Sequence, residues 1–193
     1  MGEPGTTPAA RVRLLQAAAQ LTYANGIDAT GVDAIAKEAG VTKRTLYQHF
    51  RSKDELVAAA LRARDDPTIA GLRAAVDRRI SRGARPIAAL FAVLTRTFAD
   101  RAFRGCAFLN AGLEMHSDDH PVRPVVRSHT DARRNLVADL VRAEGIDDDL
   151  TAEAITLLVE GALAAGAARR DKAVVERAAH AAERLLAVAR PKS

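Results

Sequence analysis

Apolar residues recur at three- and four-residue spacing along most of the chain, the period of helices buried on one side. Pro8 opens a first helix, and Val12, Leu15, Ala18, Ala19 and Thr22 continue one face of it. Asn25-Gly26 stops it, a pair that tolerates positive φ. Thr30 is placed to cap a short helix from about Val32 to Ala39, with Ile35 and Ala36 facing inward. Gly40 ends that helix and Val41 is apolar at the bend. Thr42 then caps a third helix through Leu46 and Tyr47 to about Phe50. Ser52 caps a fourth, with Asp54 and Glu55 in its first turn, and Ser52 and Glu55 match the capping-box spacing.

Two short helices joined by a tight glycine turn and braced by a longer preceding helix make a helix-turn-helix. Such a unit offers the N-terminal half of its second helix to the major groove. Here that half reads Thr42-Lys43-Arg44-Thr45, donors and acceptors suited to base edges and phosphates. Tyr47 and His49 can hydrogen-bond phosphate oxygens, while Leu46 and Phe50 anchor the helix. Lys53, at the start of the fourth helix, adds a cation beside free backbone N–H groups.

Beyond Arg64, Pro67, Gly83 to Pro86, Arg104-Gly105, His120-Pro121, Gly145 and Asp147 to Asp149 punctuate the chain. They predict helices near 67–82, 86–102, 105–116, 122–144, 150–169 and 172–189. Val122, Val125, Val126, His129, Leu136, Leu140 and Val141 form one stripe; Ile155, Leu158, Val159, Ala162 and Leu163 form another, with Gly161, Ala165 and Gly166 allowing close helix approach. Periodicity alone leaves open whether these stripes face their own core or a second subunit. Cys106, Asn110 and Glu114, four apart each time, fall on one helical face near Phe103 and Leu113. They either grip the polar end of a small molecule or satisfy backbone groups and pair with Arg123, Arg127 or Arg133.

Composition narrows the class. Alanine fills 42 of 193 positions, aromatics make up 4%, and Trp is absent, so an all-β or parallel α/β fold is excluded. The single cysteine forbids an internal disulfide and points to a reducing, cytoplasmic setting. No run of eighteen uncharged apolar residues predicts a membrane span, and Met1 to Ala10 lacks the pattern of a signal peptide. The net charge is +5, and residues 1–64 carry nine Lys/Arg against six Asp/Glu, about three times the net charge density of the remainder. Lys43, Arg44, Arg51 and Lys53 fall within eleven residues. Alone this cluster reads as a solvated face; set on a helix-turn-helix it reads as a polyanion site.

The run from Gly31 to Leu56, with Ala39-Gly40-Val41-Thr42 followed by Leu46-Tyr47-Gln48-His49-Phe50-Arg51-Ser52-Lys53, resembles the DNA-binding domain of the TetR family of transcriptional repressors. The resemblance spans roughly residues 10–60. Position 44, commonly small in that family, is Arg here. What it implies is an all-α homodimer: a DNA-binding domain over 8–52, a connecting helix over 53–66, and a helical effector-binding and dimerisation domain over 67–190. It places Thr42, Lys43, Arg44 and Thr45 at base-reading or positioning places, Tyr47, His49 and Lys53 at phosphates, and Thr30 near the backbone.

By the same resemblance the partners are a palindromic double-stranded operator and a small-molecule effector that moves the two heads out of register. No cofactor or metal is expected. The dimer interface is assigned to Val126, Leu136, Leu140, Ile155, Val159, Ala162 and Gly166. The effector site is assigned to Phe91, Leu94, Phe98, Cys106, Asn110, Leu113, Glu114 and His129. Arg104-Gly105-Cys106 followed by Asn110 and Glu114 also resembles a stretch found in one large group of these regulators. Two alternatives stand beside this reading. A metal sensor of the same fold could use Cys106, Glu114, His116, His120 and His129, although tight ligand spacing is lacking. An enzyme could use Cys106 as nucleophile with His116 or His129 as base.

Overall fold

The structure, a computed structural model, describes residues 8–100 and 102–190. Met1 to Thr7, over which part of the signal-peptide reading runs, lie outside the described residues. Among the described residues there are nine α-helices and no strand, as the periodicity and the alanine content predict. They are α1 (Pro8–Asn25), α2 (Val32–Glu38), α3 (Lys43–His49), α4 (Lys53–Ile80), α5 (Pro86–Thr97), α6 (Ala107–Glu114), α7 (Val122–Ala143), α8 (Asp149–Arg169) and α9 (Ala173–Ala189).

Pro67 was expected to start a new helix, yet α4 runs straight through it. An interior proline costs a helix about 3 kcal/mol. Buried side chains on either side of the exposed Pro67, from Leu56 to Leu61 before it and Val76 after it, hold the helix across the defect. A second departure is the early end of α5 at Thr97 rather than 102. There Phe98 turns onto Phe103, with ring centroids 4.4 Å apart, and Asp100 accepts from the Ala102 and Phe103 amides to make a tight turn.

The chain divides into two compact units, one of residues 8–67 with 107–128 and one of 68–106 with 129–190. In the first, Leu14, Ala17 and Ala18 of α1 meet Ile35 and Ala36 of α2, Leu46 and Phe50 of α3, and Leu56 and Ala60 of α4. At seven residues each, α2 and α3 are too short to persist alone. Each fully buried leucine or isoleucine here contributes roughly 1.5–3 kcal/mol, which holds them. Leu14 occupies the inner face of α1 and Leu15 is half-buried against the same core, while Val12 is exposed; Val12 and Leu15 line an open groove of about 470 Å³ with Ala60 and Ala63 of α4.

The second unit is built on α5, α8 and α9, with the C-terminal part of α7. Ile87, Leu90, Phe91, Leu136, Leu140, Ile155, Val159, Val175, Ala182 and Leu186 fill its core. Glu144, just past α7, has a nearly buried carboxylate that accepts from Arg85 at 2.7 Å, from Arg190 at 3.1 Å and from the Ile87 amide at 3.1 Å. Its hydrogen bond holds the Arg85 guanidinium above its ordinary pKa. By length and composition α8 is long and apolar enough to cross a membrane. Much of that apolarity is core: Ile155, Val159, Ala162, Leu163 and Gly166 are buried inside the second unit.

Candidate nucleic-acid interface

The turn between α2 and α3 is set by Gly40 at φ +63, a left-handed conformation that glycine adopts without strain. The Gly40 and Val41 amides donate to the Lys37 and Ala36 carbonyls, closing the end of α2. Thr42 then caps α3 as predicted: its Oγ1 accepts from the Thr45 amide at 3.1 Å and shares a 2.9 Å hydrogen bond with the Thr45 hydroxyl. Leu46 is fully buried and Phe50 nearly so. That anchor leaves Thr42, Lys43, Arg44, Tyr47 and Gln48 exposed on the opposite side. Gln48 did not stand out in the sequence, although its place four residues after Arg44 puts both on one helical face.

The exposed cations are lightly held. Lys43 Nζ lies 3.1 Å from Asp33 Oδ2, a pair with half or more of each side chain in solvent. Such pairs contribute about 0–1 kcal/mol, little enough for a phosphate to displace the carboxylate. Tyr47 is 47% exposed, and Arg51 is exposed beyond α3.

Three predicted contact residues sit elsewhere. Thr30 does not cap α2, whose first turn begins after Gly31 with no side-chain cap. It is 3% exposed, and its hydroxyl donates to the Gly26 carbonyl at 2.6 Å, bracing the link between α1 and α2. Lys53 Nζ donates to the Ile27 carbonyl at 2.9 Å, so that cation is engaged inside the unit. The Nε2 atom of His49 is enclosed by protein without a partner, and that atom is not offered to a phosphate.

The residues assigned to an effector do not form one site. Glu114 accepts from the Ile27 and Asp28 amides in the first unit, Asn110 is exposed, and Leu113 is 70% exposed. Phe91 and Leu94 lie in the core of the second unit. Phe98 is pressed on Gly166 so closely that a Cβ there would lie 2.4 Å from its ring. Cys106 turns instead to His129, with Sγ 3.7 Å from Nε2, and to Arg133, whose Nη1 donates to Sγ at 3.5 Å. Arg133, one of the three arginines the sequence offered as partners for this face, follows His129 by one helical turn of α7. No three of His, Cys, Asp and Glu gather as a metal-binding set among the described residues.

The expected dimer residues are likewise spent within one chain. Leu136, Leu140, Ile155, Val159, Ala162 and Gly166 are buried in the second unit, and Val126 packs toward Gly112 in the first. The α8 face left in solvent carries Leu157, Gly161, Ala164 and Ala168, one step round the helix from the predicted stripe.

Known proteins agree with this geometry at both ends of the chain. The family model described as bacterial regulatory proteins, tetR family, matches residues 14–60, and that of the transcriptional regulator LmrA/YxaF-like C-terminal domain matches residues 84–181. The crystal structure of SCO4454, a TetR-family transcriptional regulator from Streptomyces coelicolor, is 35% identical over 94% of this chain and 96% of its own, with a TM-score of 0.76. Over 66 residues the chain is 46% identical to the HTH-type transcriptional activator FasR of Mycolicibacterium smegmatis, a match covering 34% of this chain and 30% of FasR. It is 41% identical over 59 residues to the HTH-type transcriptional repressor KstR2 of the same organism, covering 31% of this chain and 29% of KstR2. With both its N-terminal and C-terminal regions matched and a relative aligned nearly end to end, the chain belongs to the TetR family of DNA-binding transcriptional regulators.

Proposed function

We propose that the chain acts as a homodimeric repressor that holds a palindromic operator through α3 and leaves it when a small molecule binds the second unit. The observation that carries the reading is the division of α3 into a buried anchor, Leu46, and an exposed face of Thr42, Lys43, Arg44, Tyr47 and Gln48. A bare scaffold needs the anchor; it has no use for that polar and aromatic face. Arg44 is the base reader, since a guanidinium matches the O6 and N7 acceptors of guanine. Lys43, Tyr47 and Arg51 hold phosphates.

A palindrome requires a two-fold partner. Leu157, Gly161, Ala164 and Ala168 support α8 as the joining helix: an exposed stripe of one leucine and small residues lets a second backbone come close. Release follows if the effector prefers the conformation whose heads do not match successive major grooves. Sedimentation equilibrium of the wild type and of Leu157→Glu tests the assembly. The wild type sediments as a dimer and the variant as a monomer that keeps its helical circular dichroism, because Leu157 is 60% exposed in one chain. A variant that stays dimeric would place the interface elsewhere.

A further inference from the structure

Two arginines flank the inner face of α1 near its start. Arg11 precedes the buried Leu14 by three residues and Arg13 precedes the buried Ala17 by four, so each stands one turn before a core residue. The Arg11 guanidinium lies over the Phe50 ring, with Cζ 5.3 Å from the centroid, and Phe50 is the residue on which α3 ends. Arg13 Nε donates to the Ala39 carbonyl at 2.9 Å, where α2 ends and the turn into α3 begins. The first helix therefore holds one cation at each end of α3.

Those contacts fix the guanidinium groups and leave their charge unanswered. Both arginines are exposed, and among the described residues neither forms an ion pair. The stacked Arg11 keeps its N–H donors at the rim of its plane, and Arg13, with Nε engaged, keeps those on its two terminal nitrogens. Stability gives no reason for a cation at Arg11: α1 has no acidic residue in its first turn, and the dipole of a helix opposes positive charge near its N-terminal end.

We infer that Arg11 and Arg13 are phosphate-binding residues of the DNA interface, set at the two ends of α3 by the Phe50 ring and the Ala39 carbonyl. The inference rests on the reading of α3 as the helix that holds an operator. Lys43 opens α3 and the exposed Arg51 follows Phe50, so cations from α1 join cations from the helix-turn-helix at both ends. Phosphates wall the major groove on both sides, and a reading face bracketed in this way engages them while its own side chains meet the bases. A guanidinium presents parallel N–H donors to two phosphate oxygens, which a lone ammonium does not. Because Arg13 is tied to the end of α2 and Arg11 to the end of α3, phosphates gripped by α1 orient the two helices as one body. Such contacts carry no base information, so Arg11 and Arg13 add affinity on any duplex and Arg44 keeps the discrimination.

Fluorescence anisotropy on the full chain across a salt series, with DNA flanking the coding region and with an unrelated duplex, tests the assignment. Arg11→Met keeps a side chain on the Phe50 ring, and Arg13→Gln keeps an N–H donor for the Ala39 carbonyl. Both remove the charge alone, and helical circular dichroism verifies that each variant is folded. Each is expected to lower the slope of log affinity against log salt by about 1, and the double variant by about 2. Affinity at low salt falls at least threefold in each, equally on the two duplexes, while Arg11→Lys and Arg13→Lys keep the wild-type slope. Slopes equal to the wild type in Arg11→Met and Arg13→Gln overturn the inference, and a lowered melt with an unchanged slope assigns the two arginines to stability alone. A loss confined to one duplex would make them base readers and overturns it as well. Wild-type binding with unmoved slopes strikes only the assignment of α1; a wild type that binds neither duplex strikes the reading of α3 with it.

Discussion

Glu114 closes a turn that ends eighty-seven residues earlier in the chain: its carboxylate accepts from the Ile27 amide at 2.9 Å and from the Asp28 amide at 2.8 Å. Ile27 is 3% exposed, so its amide has little water to turn to. Lys53 and Thr30 fasten the same turn from the other side, through the Ile27 and Gly26 carbonyls. The link between α1 and α2 is therefore held by residues from three separate stretches of sequence. Glu114→Ala strands the buried Ile27 amide and is expected to lower the stability of the first unit by about 1–3 kcal/mol. Hydrogen exchange at Ile27 and Asp28 checks it: both amides lose protection in the variant, and unchanged protection would dismiss the role assigned to Glu114.

Gly166 is where α8 meets the ring of Phe98. An added Cβ would stand 2.4 Å from one ring atom and 2.7 Å from another, and Phe103 backs the ring at 4.4 Å between centroids. Gly166→Ala would gain helix propensity of about 1 kcal/mol at an open helical site. Here the clash prevails, and the expected net effect is a loss of about 1–3 kcal/mol. Gly71→Ala, at an exposed position of α4 with nothing within 4 Å, is expected to raise the melting temperature. Thermal melts of the two variants therefore move in opposite directions.

Asp148 caps α8. Its side chain accepts from the Thr151 hydroxyl and amide and from the Leu150 amide, and the bond from the Thr151 hydroxyl is the chief cause holding its carboxyl below the ordinary range. The folded value lies below the unfolded one. The charged carboxylate therefore stabilises the fold above the ordinary carboxylate pKa, and that contribution is lost as pH falls through the folded value. Asp148→Asn keeps a neutral cap. At pH 7 the variant melts below the wild type, and the gap closes in acid, below the ordinary carboxylate range. A gap independent of pH would mean that the charge plays no part.

Much of the first unit was legible because its signals are local. Gly40, Thr42 and the Leu46–Phe50 anchor are set by backbone conformation, capping and short-range spacing, and each stands as the sequence implies. Thr30 and Lys53 were misplaced because their partners, the Gly26 and Ile27 carbonyls, are backbone atoms that leave no trace in sequence. In the second unit, the stripes on α7 and α8 were visible as stripes, but periodicity does not say what a stripe faces. The pairing of α8 with α9 turned Ile155, Val159 and Ala162 inward and left Leu157 outside. Glu114 shares a helical spacing with Cys106, yet the two serve different units, a division that only the tertiary fold makes.

The central claim, that the open face of α3 reads DNA, is tested most directly by fluorescence anisotropy across a salt series on DNA flanking the chain's own coding region. The wild type is expected to bind with log affinity falling linearly in log salt. Arg44→Ala loses about 1–3 kcal/mol on the specific sequence, with discrimination relaxed at the guanine it reads. Lys43→Ala weakens binding evenly across sequences and lowers the salt slope by about 1. The melts of both variants match the wild type, since Arg44 is exposed and Lys43 half-exposed. If both variants bind as the wild type does, with the same slope, α3 is not the reading helix and the account fails.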